Sequence, residues 1–395
     1  MISSFYERIV GASPPSEMNK PKILCVGLVC LDIVQTCKVF PSEDSDIRCI
    51  DYRWQRGGNA SNNCTVLSKL GSYPEFFGTL GGGHHLNFLK DDMHKYSIDF
   101  SHCPVVDSAG CPTSTVILSL NTGSRTIFHY NPDLPELTPD DFEKLNLDDY
   151  SWIHFEGRRC NVPRILTFMQ SIECYNENLK ATSPNKQTIT VSVELEKASS
   201  ELLDLLPYAD VAFISKDFAC DRGFSNMSET IRNIARDVKS GATIICAWGD
   251  RGAMARTPDS TIVQSPAFPP KKIVDSLGAG DTFTAAILHY LNNVKLSSGM
   301  KDKNITEDVV DINNDKVLLS KEDNTSMTSD CYNLTQKKPT IEHNKNIESL
   351  ECSKTEFINQ SVLQAAVTFA CRTAGAKIGF RGYDDLQCSP IEFIS

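Results

Sequence analysis

What most constrains this chain is the order of its apolar runs. Residues 22–29 (KILCVGLV) form one such run, and 188–193 (TITVSV), 210–215 (DVAFIS) and 242–247 (ATIICA) form others. Short apolar runs of this kind read as buried strands. Between or after them lie stretches with helical spacing, at 58–70, 228–239 and 279–291. Strands alternating with helices predict an α/β fold, with a central, mostly parallel sheet and helices on both faces. In such sheets ligands bind beyond the carboxyl ends of the strands.

Two regions break the alternation. Segments of about 33–56 and 113–131 read as short strands with turn residues between them, Pro41-Ser-Glu-Asp and Asn121-Thr-Gly-Ser. They are expected to pair into a small antiparallel sheet that stands off the main one as a lid. The second break, 293–360, is rich in Asn, Lys, Asp, Ser and Thr and poor in aromatics. A loop of that length inside a compact domain is usually disordered or regulatory. It reads as an insertion between two helices of one domain spanning 21–395, with 309–320 as a transient helix inside it and helical patterning resuming at 362–379. Residues 1–20 read as a flexible extension.

Composition narrows the class. The 395-residue chain carries a net charge of -11, which argues against a nucleic-acid partner, because that affinity comes from Lys and Arg on phosphates. A locally positive site for a nucleotide remains compatible with an acidic whole. The 15 cysteines include no C-x-x-C pair, so neither a zinc site nor a redox dithiol motif is expected, and the odd count fits a reducing compartment. No apolar stretch approaches a membrane span, and the N-terminus lacks the apolar core of a signal peptide. A cytoplasmic location is expected.

The strongest local signal is Asp275-Ser-Leu-Gly-Ala-Gly-Asp281 at the head of a helical run. Glycines at a helix start let backbone N–H groups approach an anion, and the helix end adds positive charge. A carboxylate directly after them, Asp281, would stand beside a bound phosphate and can take a proton from an attacking hydroxyl. The same residues also suit a plain helix start with an acidic residue facing the dipole. The second signal is Arg56-Gly-Gly-Asn-Ala-Ser-Asn62. Asn59 and Asn62 are three apart, so both amides can face one way, and amides suit sugar hydroxyls. A glycine turn with Asn59 as a helix N-cap explains the same residues. The third is Asp32, just past the first strand, which is either a hydroxyl acceptor or a turn former.

Together these stretches resemble the ribokinase-like PfkB carbohydrate kinase family, in its ketohexokinase branch. The resemblance is carried by Ile23-Leu-Cys-Val-Gly-Leu-Val, Glu43-Asp-Ser-Asp-Ile-Arg, Arg53-Trp-Gln-Arg-Gly-Gly-Asn-Ala-Ser-Asn, Gly123-Ser-Arg-Thr-Ile, Trp152-Ile-His-Phe-Glu-Gly-Arg, Ser215-Lys-Asp, Cys246-Ala-Trp and Val274-Asp-Ser-Leu-Gly-Ala-Gly-Asp-Thr-Phe. It implies a ribokinase-like three-layer sandwich with a β lid and transfer of phosphate from ATP, with Mg2+, to a ketose. D-fructose giving fructose 1-phosphate and ADP is the leading case. It also implies roles. Asp281 is the base, and Gly278, Ala279 and Gly280 form the anion hole. Asp32, Gly58, Asn59 and Asn62 hold the sugar. Arg125 meets the nucleotide phosphates, and Gly249, Asp250, Arg251 and Gly252 run along the nucleotide. No protein metal ligand is implied. A homodimer clasped through the lids is implied too, with Asp44 on a lid turn reaching toward the neighbouring subunit.

Other readings stay open. A related kinase acting on another sugar or a nucleoside, or a non-catalytic sugar or nucleotide sensor, uses similar parts. Lys216 is either a phosphate ligand or a solvated lysine. Glu156 and Arg158 read as a structural pair. Trp248 and Phe268 either flank an adenine or sit in the core, and His84 and His85 read as surface residues. Two positions depart from the family. Ser215-Lys-Asp-Phe stands where many relatives carry an Asn-x-x-Glu motif, and Asp250-Arg251 stands where two acidic residues are usual.

Overall fold

The structure, a computed structural model, describes residues 20–314 and 355–386. The chain opens with β1 (Lys22–Val26), and its burial shows why a continuous apolar run is needed. Ile23 and Cys25 enter one core and Leu24 and Val26 the other, so successive side chains of one strand serve both faces of the sheet. Next come β2 (Cys30–Cys37), β3 (Asp51–Gly57) and helix α1 (Asn59–Lys69). They are followed by β4 (Pro74–Phe77), β5 (Leu80–Gly81), α2 (His85–Lys95), β6 (Val105–Val106), β7 (Thr113–Ser119) and β8 (Arg125–Tyr130). The short α3 (Pro139–Phe142) precedes β9 (Tyr150–Glu156), α4 (Val162–Thr182), β10 (Thr190–Leu195) and β11 (Val211–Ile214). Then follow α5 (Lys216–Asp221), α6 (Met227–Ile234), β12 (Thr243–Ala247), β13 (Ala253–Arg256) and β14 (Ile262–Ser265). Two long helices close the described chain, α7 (Ala279–Asn314) and α8 (Gln360–Lys377).

The main sheet has eight strands in the order β14-β13-β12-β11-β10-β9-β1-β4. From β12 to β4 all neighbours run parallel, and only β13 and β14 at one edge are antiparallel. After β1 the chain moves to one side, to β4, and later to the other, to β9. The reversal opens a crevice beyond the carboxyl ends of β1 and β9. One face is covered by α1, α2, α7 and α8, the other by α4, α5 and α6.

The lid is a second sheet of four strands, β3-β2-β7-β8. The expectation of a purely antiparallel lid is corrected, because its central pair, β2 and β7, runs parallel, with antiparallel β3 and β8 outside it. β7 is reached after α2 rather than by a hairpin, so it enters from the same end as β2. Val34, Val116 and Leu118 form the lid's own small core, into which Leu277 of the turn before α7 inserts.

The breaks in the pattern also fall differently from expectation. Helix α7 does not stop at residue 291. It runs to Asn314, and Lys295, inside the expected insertion, is buried. At the other end Thr355 and Ile358 are buried and the Asn359 side chain caps α8, accepting from Val362 N at 3.0 Å. Residues 315–320 of the expected transient helix, and residues 1–19 of the expected extension, lie outside the described residues. Among the described residues no helix is long and apolar enough to cross a membrane.

Candidate active site

The crevice holds a cavity of about 810 Å³ between the main sheet and the lid. Asp32, Gly58, Asn59, Asn62, Arg125, Gly249, Gly278, Ala279, Gly280 and Asp281 all line it, so residues scattered over some 250 positions of sequence meet at one place. Asp250, Arg251 and Gly252 are not part of the lining. Asp250 and Arg251 are exposed on the turn after β12, and Gly252 is buried against Ser265 in β14.

At the floor stands the start of α7. Gly278 has φ +75°, and a Cβ there would lie 1.9 Å from the Tyr383 hydroxyl. At Gly280 a Cβ would meet nothing within 4 Å, so the first turn faces open space. The leading N–H groups of a helix have no partner within it, which leaves this tip suited to an anion. The turn is held from beneath by Asp275. Its carboxylate accepts from Leu277 N at 2.9 Å and from Gly382 N at 3.2 Å, and pairs with Arg53 of the lid at 2.8 Å. Lys377, fully buried, donates to the Asp275 carbonyl at 3.1 Å, and burial lowers its pKa against the pull of Asp275.

Asp281 lies in the first turn of α7 and is 8% exposed. Asn62 Nδ2 donates to its Oδ2 at 2.7 Å. Burial pushes its carboxyl up to about 7. The Asn62 bond opposes that rise, Glu196 and Glu156 add to it, and Arg125 opposes it. The Asn62 amide oxygen is buried with no hydrogen-bond partner, so it is an acceptor left for a ligand. With its amide oriented to satisfy its neighbours, Asn63 donates to the Asp281 carbonyl at 2.9 Å and accepts from His154 Nε2 at 3.3 Å. Burial lowers His154 to about 3, which keeps that imidazole neutral.

Asn59 is not the helix cap it was expected to be. Gly58 holds that position with φ +97°, and Asn59 is the first helical residue, its amide donating to Glu196 Oε2 at 2.7 Å. A Cβ on Gly58 would stand 2.1 Å from the Leu28 carbonyl oxygen, so the chain needs glycine there on two counts. The preceding Gly57 makes room for Asp32, whose carboxylate would lie 2.2 Å from a Cβ at that position. Asp32 belongs to β2, not to the loop after β1, and burial raises its carboxyl while bonds from Ser114 and Cys30 lower it. Arg56 of the same motif points away from the cavity, pairing with Asp92 at 2.7 Å and donating to the Ser61 carbonyl at 2.8 Å.

Arg125 opens β8 on the lid and Lys216 opens α5 across the cavity, and both line it. Glu156 accepts from Leu28 N at 2.9 Å and Ala60 N at 3.3 Å and lies 3.5 Å from Arg158, so the structural pairing is present. Arg158 is held more closely by Glu136, at 2.7 Å. Trp248 is in the core, whereas Phe268 is half-buried under the Arg372 guanidinium. His84 is exposed, but His85 packs edge-on against Trp54.

Sequence reasoning missed Glu194 and Glu196. Both line the cavity from the carboxyl end of β10, and Glu194 Oε2 is buried without a hydrogen-bond partner. Burial and the neighbouring Asp281 hold the Glu194 carboxyl far above the usual range. The signal was present: a carboxylate closing an apolar strand of a parallel sheet points into the crevice. Among the described residues no group of three or more His, Cys, Asp or Glu side chains gathers in a way that would hold a metal ion.

The model of the pfkB family of carbohydrate kinases matches residues 20–306. Ketohexokinase of Mus musculus is 45% identical over 275 residues, covering 70% of this chain and 90% of that one. Among solved structures, ribokinase from Giardia lamblia superposes with a TM-score of 0.66 at 15% identity, covering 92% of this chain and 94% of that one. Ribokinase of Arabidopsis thaliana, complexed with ribose and ATP, gives 0.53 at 18% identity over 69% of this chain and 86% of that one. A helix tip open to an anion, a raised carboxyl beside it, a lid above both and a family match across most of the chain lead to one conclusion: the chain belongs to the pfkB family of carbohydrate kinases.

Proposed function

We propose that the protein transfers phosphate from ATP to the 1-hydroxyl of a ketose, with D-fructose as the preferred acceptor. One observation carries this reading. The Asp281 carboxyl, with its pKa near neutrality, lies between the helix tip at Gly278–Gly280 and the sugar-side amide of Asn62. An acceptor hydroxyl placed there gives up its proton to Asp281 as its oxygen attacks. The first N–H groups of α7 take the transferring phosphoryl group, and their fixed dipoles stabilise charge without rearrangement. Asp32, Asn59 and Asn62 orient the sugar, and Arg125 and Lys216 meet the nucleotide phosphates. Lid closure excludes water and so limits hydrolysis of ATP.

Magnesium enters as the companion of ATP. Mg2+ keeps several waters and is commonly bound by one or two carboxylates plus substrate phosphates, so a protein cage is not needed. The orphaned Oε2 of Glu194 fits that role, as a buried acceptor for the ion's water shell. When bound, the ion neutralises charge on the phosphates.

The test is ADP release with fructose, tagatose, ribose and adenosine as acceptors. Fructose should give the highest kcat/KM. Response to adenosine alone would replace the ketose by a nucleoside, and sugar binding without ADP release would make the protein a sensor. Asp281→Asn should lower kcat roughly a hundred- to ten-thousand-fold while sugar binding survives.

The lid's outer face supports a dimer. Tyr52 is 58% exposed, Phe128 58% and Tyr130 67%, and register places them on the face away from the cavity, with Ile33 and Ile117 between them. Two such faces clasped together bury these side chains. Phe128→Glu should then yield monomers in sedimentation velocity, and an unchanged dimer would rule this face out.

A further inference from the structure

Cys37 ends β2, and Cys49 lies just ahead of β3. The antiparallel pairing of these strands places Thr36 opposite Asp51, and Ile50 N donates to the Thr36 carbonyl at 2.8 Å. That backbone bond brings the two cysteines side by side, with Cys37 Sγ 3.6 Å from Cys49 Sγ. Their surroundings differ. Cys37 is 2% exposed, whereas Cys49 is exposed and also within 3.0 Å of Gln35 Oε1. A soluble oxidant reaches one thiol, and the other waits behind it. By contrast Cys25 and Cys64, which also touch, are both fully buried in the core, where no oxidant reaches them.

We propose that Cys37 and Cys49 are a reversible modification site, converted to an intramolecular disulfide by a low-molecular-weight disulfide such as oxidised glutathione. The Cys49 thiolate attacks one sulfur of oxidised glutathione. The glutathione S–S bond breaks, and the departing thiolate takes up the proton that Cys49 gave to solvent. Cys37, as thiolate, then attacks the Cys49 sulfur of the mixed disulfide and expels the second glutathione, which is protonated in turn. Two protein thiols are oxidised by two electrons, and one oxidised glutathione becomes two reduced ones.

The bond closes segment 38–48 into a loop fastened to the end of β2. Next along the chain is β3, whose Arg53 pairs with Asp275 beneath the phosphate turn and whose end, at Gly57, makes room for Asp32. A staple at the root of β3 therefore restrains the strand that links lid and turn, and turnover slows. This consequence rests on the kinase reading, while the thiol chemistry does not.

The experiment treats the full chain with oxidised glutathione, blocks remaining thiols and maps the peptides. Turnover of fructose with ATP is measured before oxidation, after it, and after reduction with dithiothreitol. The expected result is a cross-link between the peptides carrying Cys37 and Cys49, and a several-fold lower kcat restored by the reductant. Cys49→Ser should show neither change while keeping the turnover of the reduced wild type. A stable glutathione adduct on Cys49 with Cys37 still free overturns the proposal, and so does a Cys37–Cys49 link with unaltered turnover. Should the chain phosphorylate no ketose at all, the cross-link is still read by mapping. The restraint is then read as slower amide hydrogen exchange over 38–57, and unchanged exchange overturns it.

Discussion

Asp281 illustrates how one side chain carries opposing demands. Burial raises its carboxyl, which makes it a better proton acceptor near neutral pH but leaves more of it protonated below that. The expected kcat/KM profile for the free enzyme therefore loses activity as pH falls through about 7. Because the Asn62 bond lowers that pKa, Asn62→Ala should move the acidic limb to higher pH, and a limb that stays put would detach it from Asp281. Stability has the opposite sign. The folded state holds the proton more tightly than the unfolded one, so Asp281 favours folding fully below its unfolded value of 3.8, and this contribution is lost as pH rises toward 7. Asp281→Asn should thus melt higher than wild type at pH 8, with the gap closing in acid, as read by calorimetry. Asn59, Asn62 and Asp281 were legible because each sits in a glycine-containing motif at a helix start, and Asp32 because it is a lone carboxylate just past the first apolar run. Asn63 and His154 were not, because what places them is contact with each other across the fold, not local spacing.

At the level of elements, apolar runs announced the parallel strands because burial on both faces leaves no other composition open. Their ends were off by a residue or two, as for the strand expected at 188–193 and found at Thr190–Leu195. The lid was visible as alternation, but its parallel central pair was not, since pairing depends on where α2 returns the chain. The end of α7 was also hidden. Polar residues past Leu291 read as a loop, yet the helix continues to Asn314. The turn at Gly58 gives the sharpest test of an element. Gly58→Ala meets both a left-handed φ and the Leu28 carbonyl, so it should cost about 3 kcal/mol or more in urea unfolding. A loss no larger than that of an ordinary surface change would show that the turn can relax.

For the molecule as a whole, the segment between α7 and α8 invites a deletion. Removing 301–359 is not a neutral cut. It takes away Thr355, whose hydroxyl donates to the Gly241 carbonyl at 2.7 Å, the buried Ile358 and the Asn359 cap. Replacing 315–354 with a short Gly-Ser linker should leave turnover close to that of the full chain. Extending the cut through 359 should cost about 2 kcal/mol or more of stability. Equal melting temperatures for the two deletions would contradict this.

Lys295 fixes how far the start of α7 can adapt. Its ammonium donates to the Ser151 and Thr188 carbonyls and to the Thr190 hydroxyl, at the end of the sheet opposite the crevice. About 21 Å of helix separates that anchor from Asp281. A rod bolted near its middle cannot slide or roll to suit a differently shaped acceptor. Any broadening of the acceptor range within this scaffold must therefore be accommodated on the opposing wall, by the strands of the lid, while the start of α7 stays where it is.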